Sequence, residues 1–242
     1  MTLKQSKTLA ALVLGATLTF ALSPLATIGF NGFTPAQFPI PQIDPPVQPS
    51  GYAFSIWGVI YLWLIAGAAY GVWRAPDSQD WHPMRPWLAV SLVIGTFWIA
   101  VANVSPLWAT VMIIAMAVTA ILAMLRAGPN DPWLKGRPVA LYAGWLTAAT
   151  GVAIGVLLGG YGLLSAQTAA ILCLAGVLAV AASVQAARPR EWGYPVAVIW
   201  ALIGVVVANL SGPNWVVISL ASVGIAGLGL RMVRPFLKDA NA

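Results

Sequence analysis

The sequence predicts an all-α integral membrane protein, built as a bundle of about eight transmembrane helices. Of its 242 residues, 60% are hydrophobic and only 7% are charged, whereas about 25% of the residues of an ordinary soluble domain are charged. All twelve lysines and arginines lie in five short segments, separated by apolar runs near the roughly 20 residues that cross a bilayer. Because hydrocarbon offers no water to unpaired amides, these runs must be helical.

The apolar runs define eight spans in order along the chain. The predicted spans are about residues 6–28, 52–73, 86–103, 106–126, 138–158, 165–187, 194–210 and 214–233. Every second span ends near an arginine that a proline follows within three residues, and a proline disfavours continuation of a helix. The first span follows Lys4 and Lys7, and we expect a retained helix there rather than a cleaved signal peptide.

The positions of the basic residues predict the topology. Each gap between neighbouring basic clusters has room for two spans, joined by a turn that contains no Lys or Arg. Positive residues favour the cytoplasmic side of a membrane. We therefore expect both termini in the cytoplasm, with the protein in a bacterial inner membrane.

Residues 29–51 form one long connection on the opposite, non-cytoplasmic side. It contains six prolines and three phenylalanines, so it is expected to be stiff and extended. Such a loop can lie over the helix ends as a lid, or it can be a simple connector. Pro45, Pro46 and Gly51 are its candidate ligand contacts.

The chain shows signs of an internal duplication. The segment Val-Ala-Asn-Val-Ser-Pro at 101–106 recurs as Val-Ala-Asn-Leu-Ser-Gly-Pro at 207–213, and each copy lies in a tight hairpin. Four helices per copy give both halves the same orientation, as in the parallel repeats of some transporters. A 4+4 repeat and a chance similarity between apolar helices both remain open. Gly151, Gly155 and Gly159, spaced four apart, predict close contacts between helices.

Tryptophans away from the span ends indicate a ligand site. The deeper ones are Trp57, Trp63, Trp98, Trp145 and Trp200, and buried indoles present flat apolar faces to a planar ligand. Phe54, Trp57 and Tyr61 share one face of the second span. Asn103 lies at the same depth on the third span, where a buried amide needs a partner.

Several classes of function are disfavoured by what the spans contain. Asp, Glu, Lys, Arg and His occur only at or beyond the ends of the predicted spans, so a carboxylate-driven proton pump is not expected. General acid–base catalysis also has almost no groups to use. The net charge of +6 is spread over loops in twos and threes, so we expect no nucleic-acid partner. Cys173 is the single cysteine, and we expect no metal site and no permanently bound cofactor.

The segment from Pro49 to Tyr61 resembles the start of the second helix in the TspO/MBR family, the tryptophan-rich sensory proteins. That family has a proline-rich first loop and a tryptophan followed by a tyrosine four residues later, as in Trp57 and Tyr61. Asn103, Ser105 and Pro106 echo the end of the family's third helix. Tyr142, Trp145, Ala149 and Thr150 match its fifth helix. The resemblance covers residues 5–160, and Tyr52 stands where the family has its first tryptophan.

This resemblance implies a TspO-like five-helix region at residues 1–160, followed by three further helices at 161–242 within a single membrane domain. It also implies a pocket for a tetrapyrrole such as porphyrin or haem, or for a sterol-like ligand. Carried over by position, the pocket residues are Trp57, Tyr61, Asn103 and Trp145, to which we add Trp98, Phe54 and Gly51.

We therefore expect a non-enzymatic sensory or binding protein that has a hydrophobic small molecule and the lipid bilayer as partners, with a homodimer as one open arrangement. The alternatives are a transporter of a small neutral or lipophilic solute, a light-dependent enzyme that degrades porphyrin, and a purely structural subunit.

Overall fold

The computed structural model describes residues 3–27 and 32–240 as a bundle of eight α-helices. The helices are α1 (Leu3–Leu22), α2 (Ile56–Trp73), α3 (Arg85–Ala102), α4 (Pro106–Arg126), α5 (Arg137–Gly160), α6 (Ala166–Ala187), α7 (Gly193–Ala208) and α8 (Trp215–Ala240). Among the described residues, seven helices are long and apolar enough to cross a membrane, and α7 is a shorter apolar helix. The predicted eight-helix membrane bundle is confirmed, and the chain is a multi-pass integral membrane protein.

The helix ends differ from the predicted spans mainly near the chain termini. α1 ends at Leu22 instead of residue 28, because Pro24 lies in a tight turn over Ser23–Leu25. α2 is extended at its start by a second tight turn, Gly51–Ser55. α8 continues through Pro235 to Ala240, since an exposed helix end tolerates the one hydrogen bond that a proline removes.

The helices form two rings that share α5. In the first ring, α1 packs against α2 and α3, α3 packs against α4, and α5 closes the ring by contacting both α2 and α4. In the second ring, α5 packs against α6 and α7, α7 packs against α8, and α6 contacts α8 directly. The packing order of α1–α4 is thus repeated by α5–α8. The second ring has four helices instead of five, because α6 and α8 contact each other directly, whereas α2 and α4 are joined through α5.

Close packing between α5 and α7 joins the two rings. A side chain on Gly144 of α5 would collide with the carbonyl oxygen of Tyr194 and lie 3.0 Å from Cβ of Ala197 on α7. A side chain on Gly193 of α7 would lie 2.7 Å from the carbonyl oxygen of Arg137. The two backbones therefore touch through glycine at both crossing points, which is how helices associate inside a bilayer.

The predicted helix contacts of the glycines on α5 are correct at one position only. A side chain on Gly151 would collide with Val177 of α6. Gly155 and Gly159 instead face the proline-rich loop, where their nearest neighbours are Val47 and Gln42. The four-residue spacing of these glycines predicts a helix face without side chains, but it does not show whether another helix or a loop packs there.

Buried arginine and lysine side chains, together with two partly buried aspartates, tie together the helix ends that carry the basic clusters, which we call the basic end. Arg85 is 1% exposed, and its guanidinium donates to the carbonyl oxygens of Gly71, Ala75 and Pro76. These carbonyls lie in or just after the last turn of α2, where intrahelical donors are lacking. Arg85 of α3 therefore caps α2.

The connection between α4 and α5 is fixed to the same network. Lys135 is fully buried and forms an ion pair with Asp80. Asp131 adopts a left-handed conformation with φ of 51° and accepts hydrogen bonds from the indole of Trp81 and the hydroxyl of Tyr70. The connection is thus held against α2 and the segment that precedes α3.

Glu191, in the connection between α6 and α7, is a carboxyl group with incomplete hydrogen bonding. One of its carboxyl oxygens is buried without a hydrogen-bond partner in the described part of the chain. Burial raises the pKa of this carboxyl, although Arg137, the Gly193 amide and Arg188 oppose that effect. The charged form is therefore less stable in the folded protein than in the unfolded chain.

We predict that Gly144→Ala lowers the stability of the protein by about 1–3 kcal/mol, because the added methyl group separates α5 from α7. Thermal unfolding in detergent measures the effect. Gly176→Ala is the matched control, since its side chain would enter open space on α6. Equal melting temperatures for both variants would contradict this account of the α5–α7 contact.

We also predict that the advantage of Glu191→Gln over the native protein increases with pH. A raised pKa in the folded state stabilises the fold below the unfolded value of about 4.3, and this contribution is lost as pH rises through the folded value. The difference in melting temperature between variant and native protein should therefore be larger at pH 7 than at pH 4. A difference that is the same at both pH values would rule out this role for Glu191.

Candidate ligand cavity

The first ring encloses a cavity with two adjoining lobes, which we call the tryptophan cavity. The loop lobe has a volume of about 50 Å³ and reaches the proline-rich loop and α7. The α1 lobe has a volume of about 190 Å³ and reaches α1, α2, α3 and α4. The residues that line both lobes are Phe54, Trp57, Trp98 and Ile113.

Edge and stacking contacts hold the aromatic side chains of the cavity. The Trp57 ring stacks on Tyr61 at 5.3 Å and meets the edge of Trp145 at 6.0 Å. Phe54 meets Trp145 at 5.9 Å, and Phe20 of α1 contacts both Trp57 and Tyr61. These separations are those of favourable aromatic pairs. The second and fifth helices thus present a single aromatic wall.

The two most buried tryptophans of the cavity differ in their hydrogen bonding. The indole N–H of Trp98 donates to the carbonyl oxygen of Ala109 on α4, with an N···O distance of 2.9 Å. Trp145 is 2% exposed, yet its indole nitrogen has no hydrogen-bond partner within the described residues. Because a buried unpaired donor costs free energy, the Trp145 N–H is a specific feature that a ligand can satisfy.

The cavity is almost entirely apolar. The described residues that line it include no acidic or basic side chain. Its lining residues with polar side-chain groups include Gln48, Tyr61 and the tryptophans Trp57, Trp98 and Trp145. An uncharged flat molecule with a hydrogen-bond acceptor matches such a lining, whereas an unpaired charge inside it would be costly.

The proline-rich loop covers the loop end of the bundle, which is the end opposite the basic end. Gln48 and Pro49 of the loop line the loop lobe. The backbone N–H of Ile40 donates to the carbonyl oxygen of Gly160 on α5, and the side-chain amide of Gln37 donates to Ala102 on α3. The loop is therefore a packed cover over the cavity and not a simple connector.

Five of the seven predicted site residues line the cavity: Phe54, Trp57, Tyr61, Trp98 and Trp145. Gly51 lies outside it and lines a separate polar void, the vestibule, between the proline-rich loop and the end of α7. Pro45 and Pro46 also line the vestibule. Their role in binding remains a prediction.

The interior position expected for Asn103 is wrong, since this residue is exposed just beyond the end of α3. It follows Trp98 by five residues, which turns it about 140° away from the cavity wall. Its counterpart in the repeated segment, Asn209 at the end of α7, is buried. The Asn209 side-chain amide donates to the carbonyl oxygen of Pro46 in the loop.

Trp63 and Trp200, which the sequence places at a similar depth to the other three, have structural contacts instead. The indole of Trp63 donates to the backbone of Trp133 in the α4–α5 connection. The indole of Trp200 donates to the carbonyl oxygen of Ala53 before α2. Depth along a helix does not reveal which side of the helix a ring occupies.

Sequence reasoning missed the cavity residues outside the aromatic motif, among them Phe20, Gln48, Pro49, Ile113 and Ala201. Apolar residues such as Ile113 and Ala201 carry no signal that separates a cavity wall from a helix contact. Gln48 is different, since a polar residue among the prolines of a loop that can act as a lid could have been selected as a ligand contact.

Comparison with protein families gives one result that covers nearly all of the chain. A family model described as TSPO-like protein matches residues 9–234. The match extends from α1 into α8, beyond the residues 5–160 that carry the resemblance in the sequence. No curated protein and no solved structure matches the chain significantly.

We predict different effects of the same substitution at the two buried tryptophans of the ligand-free protein. Trp98→Phe should lower stability by about 1 kcal/mol or more, because it removes the hydrogen bond to Ala109. Trp145→Phe should cause little or no loss, because it removes a donor that has no partner. Melting temperatures in detergent decide the matter, and an equal loss in both variants would show that the Trp145 N–H is already bonded.

Proposed function

Because the chain belongs to the TSPO-like protein family, a family of membrane sensory and binding proteins, we propose that it binds a flat hydrophobic ligand in the tryptophan cavity. We propose a tetrapyrrole such as porphyrin or haem as this ligand. A sterol-like molecule is the second kind of flat hydrophobic ligand that we consider. The two lobes share one aromatic wall, and their mainly apolar lining suits such a ligand.

The observation that carries this proposal is the buried, unpaired N–H of Trp145 in the wall of an otherwise apolar cavity. Leaving a buried donor unpaired costs about 1–3 kcal/mol, and an acceptor on the ligand recovers this free energy on binding. The nitrogen and oxygen atoms of a tetrapyrrole provide such acceptors. A pure hydrocarbon does not.

The proposed binding mode uses the aromatic wall as a stacking surface. A planar ring slides between Trp57 and Trp98, while Trp145 donates its N–H to the ligand. Gln48, at the side where the lobe meets the loop, supplies a second polar contact. Charged substituents of the ligand would remain near the loop end, since the described lining offers them no counter-charge.

Binding and sensing are proposed in preference to turnover or transport. The cavity lies inside the first ring, and Phe20 and Tyr61 bound the α1 lobe, with Phe20 also in contact with Tyr142. A smaller void in the same ring is lined by residues that include Val13, Leu64, Arg85 and Lys135. This second void and the packing order that α5–α8 repeat favour the alternative, transport of a lipophilic solute.

For the orientation in the membrane, we propose that the basic end faces the cytoplasm of a bacterial cell and that the loop end faces outward. The connections at the basic end carry Arg74, Arg85, Arg126, Arg137 and Arg188, among other basic residues, and positive loops remain in the cytoplasm.

The experiment is a titration of purified protein with protoporphyrin, followed by tryptophan fluorescence. We expect saturable quenching at protein stoichiometry. Trp57→Ala removes the stacking surface and should weaken binding about tenfold or more. Trp145→Phe keeps a flat ring but removes the donor, and should weaken binding by roughly fivefold to a hundredfold.

The matched control is Trp215→Ala, because Trp215 is 67% exposed at the start of α8, away from the cavity. It should bind protoporphyrin like the native protein. Because detergent micelles dissolve porphyrin, quenching that never saturates and is the same in all variants would contradict the proposed ligand class. A sterol-like ligand, tested by competition in the same assay, would then take its place.

A further inference from the structure

The vestibule and the tryptophan cavity share a two-residue wall. The vestibule has a volume of about 380 Å³, and its lining includes Asp44, Ser50 and Asn209. Gln48 and Pro49 line both the vestibule and the loop lobe of the cavity. These two residues are therefore the partition between a polar space at the loop end and the apolar cavity behind it.

Hydrogen bonds from α7 fasten the loop on both sides of this partition. The side-chain amide of Asn209 donates to the carbonyl oxygen of Pro46, with an N···O distance of 2.9 Å. The backbone N–H of Ser50 donates to the carbonyl oxygen of Gly204 at 3.0 Å. Prolines lack an N–H, so this loop has few backbone donors with which to hold itself. The bonds to α7 are correspondingly important for its position.

The loop also lies in direct contact with the helices on each side. A side chain on Gly204 of α7 would lie 2.8 Å from Cβ of Pro49 and 2.9 Å from Cβ of Ala53. On the other side, Val47 is 1% exposed, and a side chain on Gly155 of α5 would lie 3.0 Å from it. Val47 thus rests on α5 and Pro49 on α7, and the partition lies between these two helices.

We propose that Gln48 and Pro49 form a gate through which the ligand passes from the vestibule into the cavity, and that Asn209 is a positioning residue that holds this gate closed. The inference rests on the proposed function, and it gives α7 a role in that function. Opening requires the loop to lift from α7, which exchanges the bond between Asn209 and Pro46 for bonds to water. The helices of the second ring then set how often the cavity is accessible.

A gate has a kinetic signature that damage to the cavity does not have. If the ligand enters and leaves by the same opening, a more frequently open gate raises the association and dissociation rates by the same factor. The dissociation constant then stays the same. Distortion of the aromatic wall would instead change the dissociation constant.

The first test measures opening without any ligand. Ala153→Cys, at a buried residue that lines the loop lobe but not the vestibule, is introduced in a Cys173→Ala background, and its reaction with a polar thiol reagent is followed in protein reconstituted into bilayer discs. Adding Asn209→Ala should speed the reaction roughly fivefold, the effect of one lost net hydrogen bond on an opening equilibrium. The control is Gln167→Ala, which removes the two side-chain hydrogen bonds between Gln167 and Asn214 at the same end of the bundle without touching the loop.

The second test measures protoporphyrin association and dissociation rates by stopped flow, in protein without the introduced cysteine. Asn209→Ala should raise both rates roughly fivefold and leave the dissociation constant unchanged. Gly204→Ala, which pushes Pro49 off α7, should do the same and provides a second variant if Asn209→Ala folds poorly. Gln167→Ala should match the native protein.

Unchanged labelling in both Asn209→Ala and Gly204→Ala would overturn the proposal, because α7 would then not hold the segment. Faster labelling with unchanged association rates would overturn it too, since the ligand would be entering laterally from the bilayer. If protoporphyrin does not bind any variant, the proposed ligand is wrong, while the labelling rates still decide whether Asn209 closes the segment.

Discussion

Helix α5 packs against two sets of helices at once, and the arrangement of the rest of the bundle depends on these contacts. It closes the first ring between α2 and α4, and it starts the second ring against α6 and α7. Inside a bilayer the helices gain little from hydrophobic burial, so close backbone contact must hold them. Gly144 and Gly193 provide that contact, and Gly155 and Gly159 leave room for the loop. The tryptophan that faces the cavity, Trp145, lies on the same helix.

The loop end shows how one helix can support a site to which it contributes little lining. Only Ala201 of α7 is part of the cavity wall among the described residues. Yet α7 supplies the bonds and the flat surface that keep the proline-rich loop in place, through Gly204 and Asn209. The family match across residues 9–234 is consistent with one unit in which the later helices position the first loop.

Much of the candidate site could be predicted from the sequence, since its aromatic residues follow a helical spacing. Phe54, Trp57 and Tyr61 share a face, and Trp145 of α5 meets Phe54 and Trp57 edge to face. The interior position predicted for Asn103 was wrong because depth along a helix does not show which side of the helix a residue occupies. The repeated segment did contain the missing information, since its second copy carries the buried asparagine, Asn209.

The sequence by itself determined the class of the protein, the number of its helices and most of their limits, because apolar runs and basic clusters are local properties. It could not determine which faces of those helices meet. The shared position of α5, the orphaned N–H of Trp145 and the fastening of the loop to α7 all depend on contacts between residues far apart in the chain. Such contacts follow from backbone approach in three dimensions, and only the tertiary structure decides them.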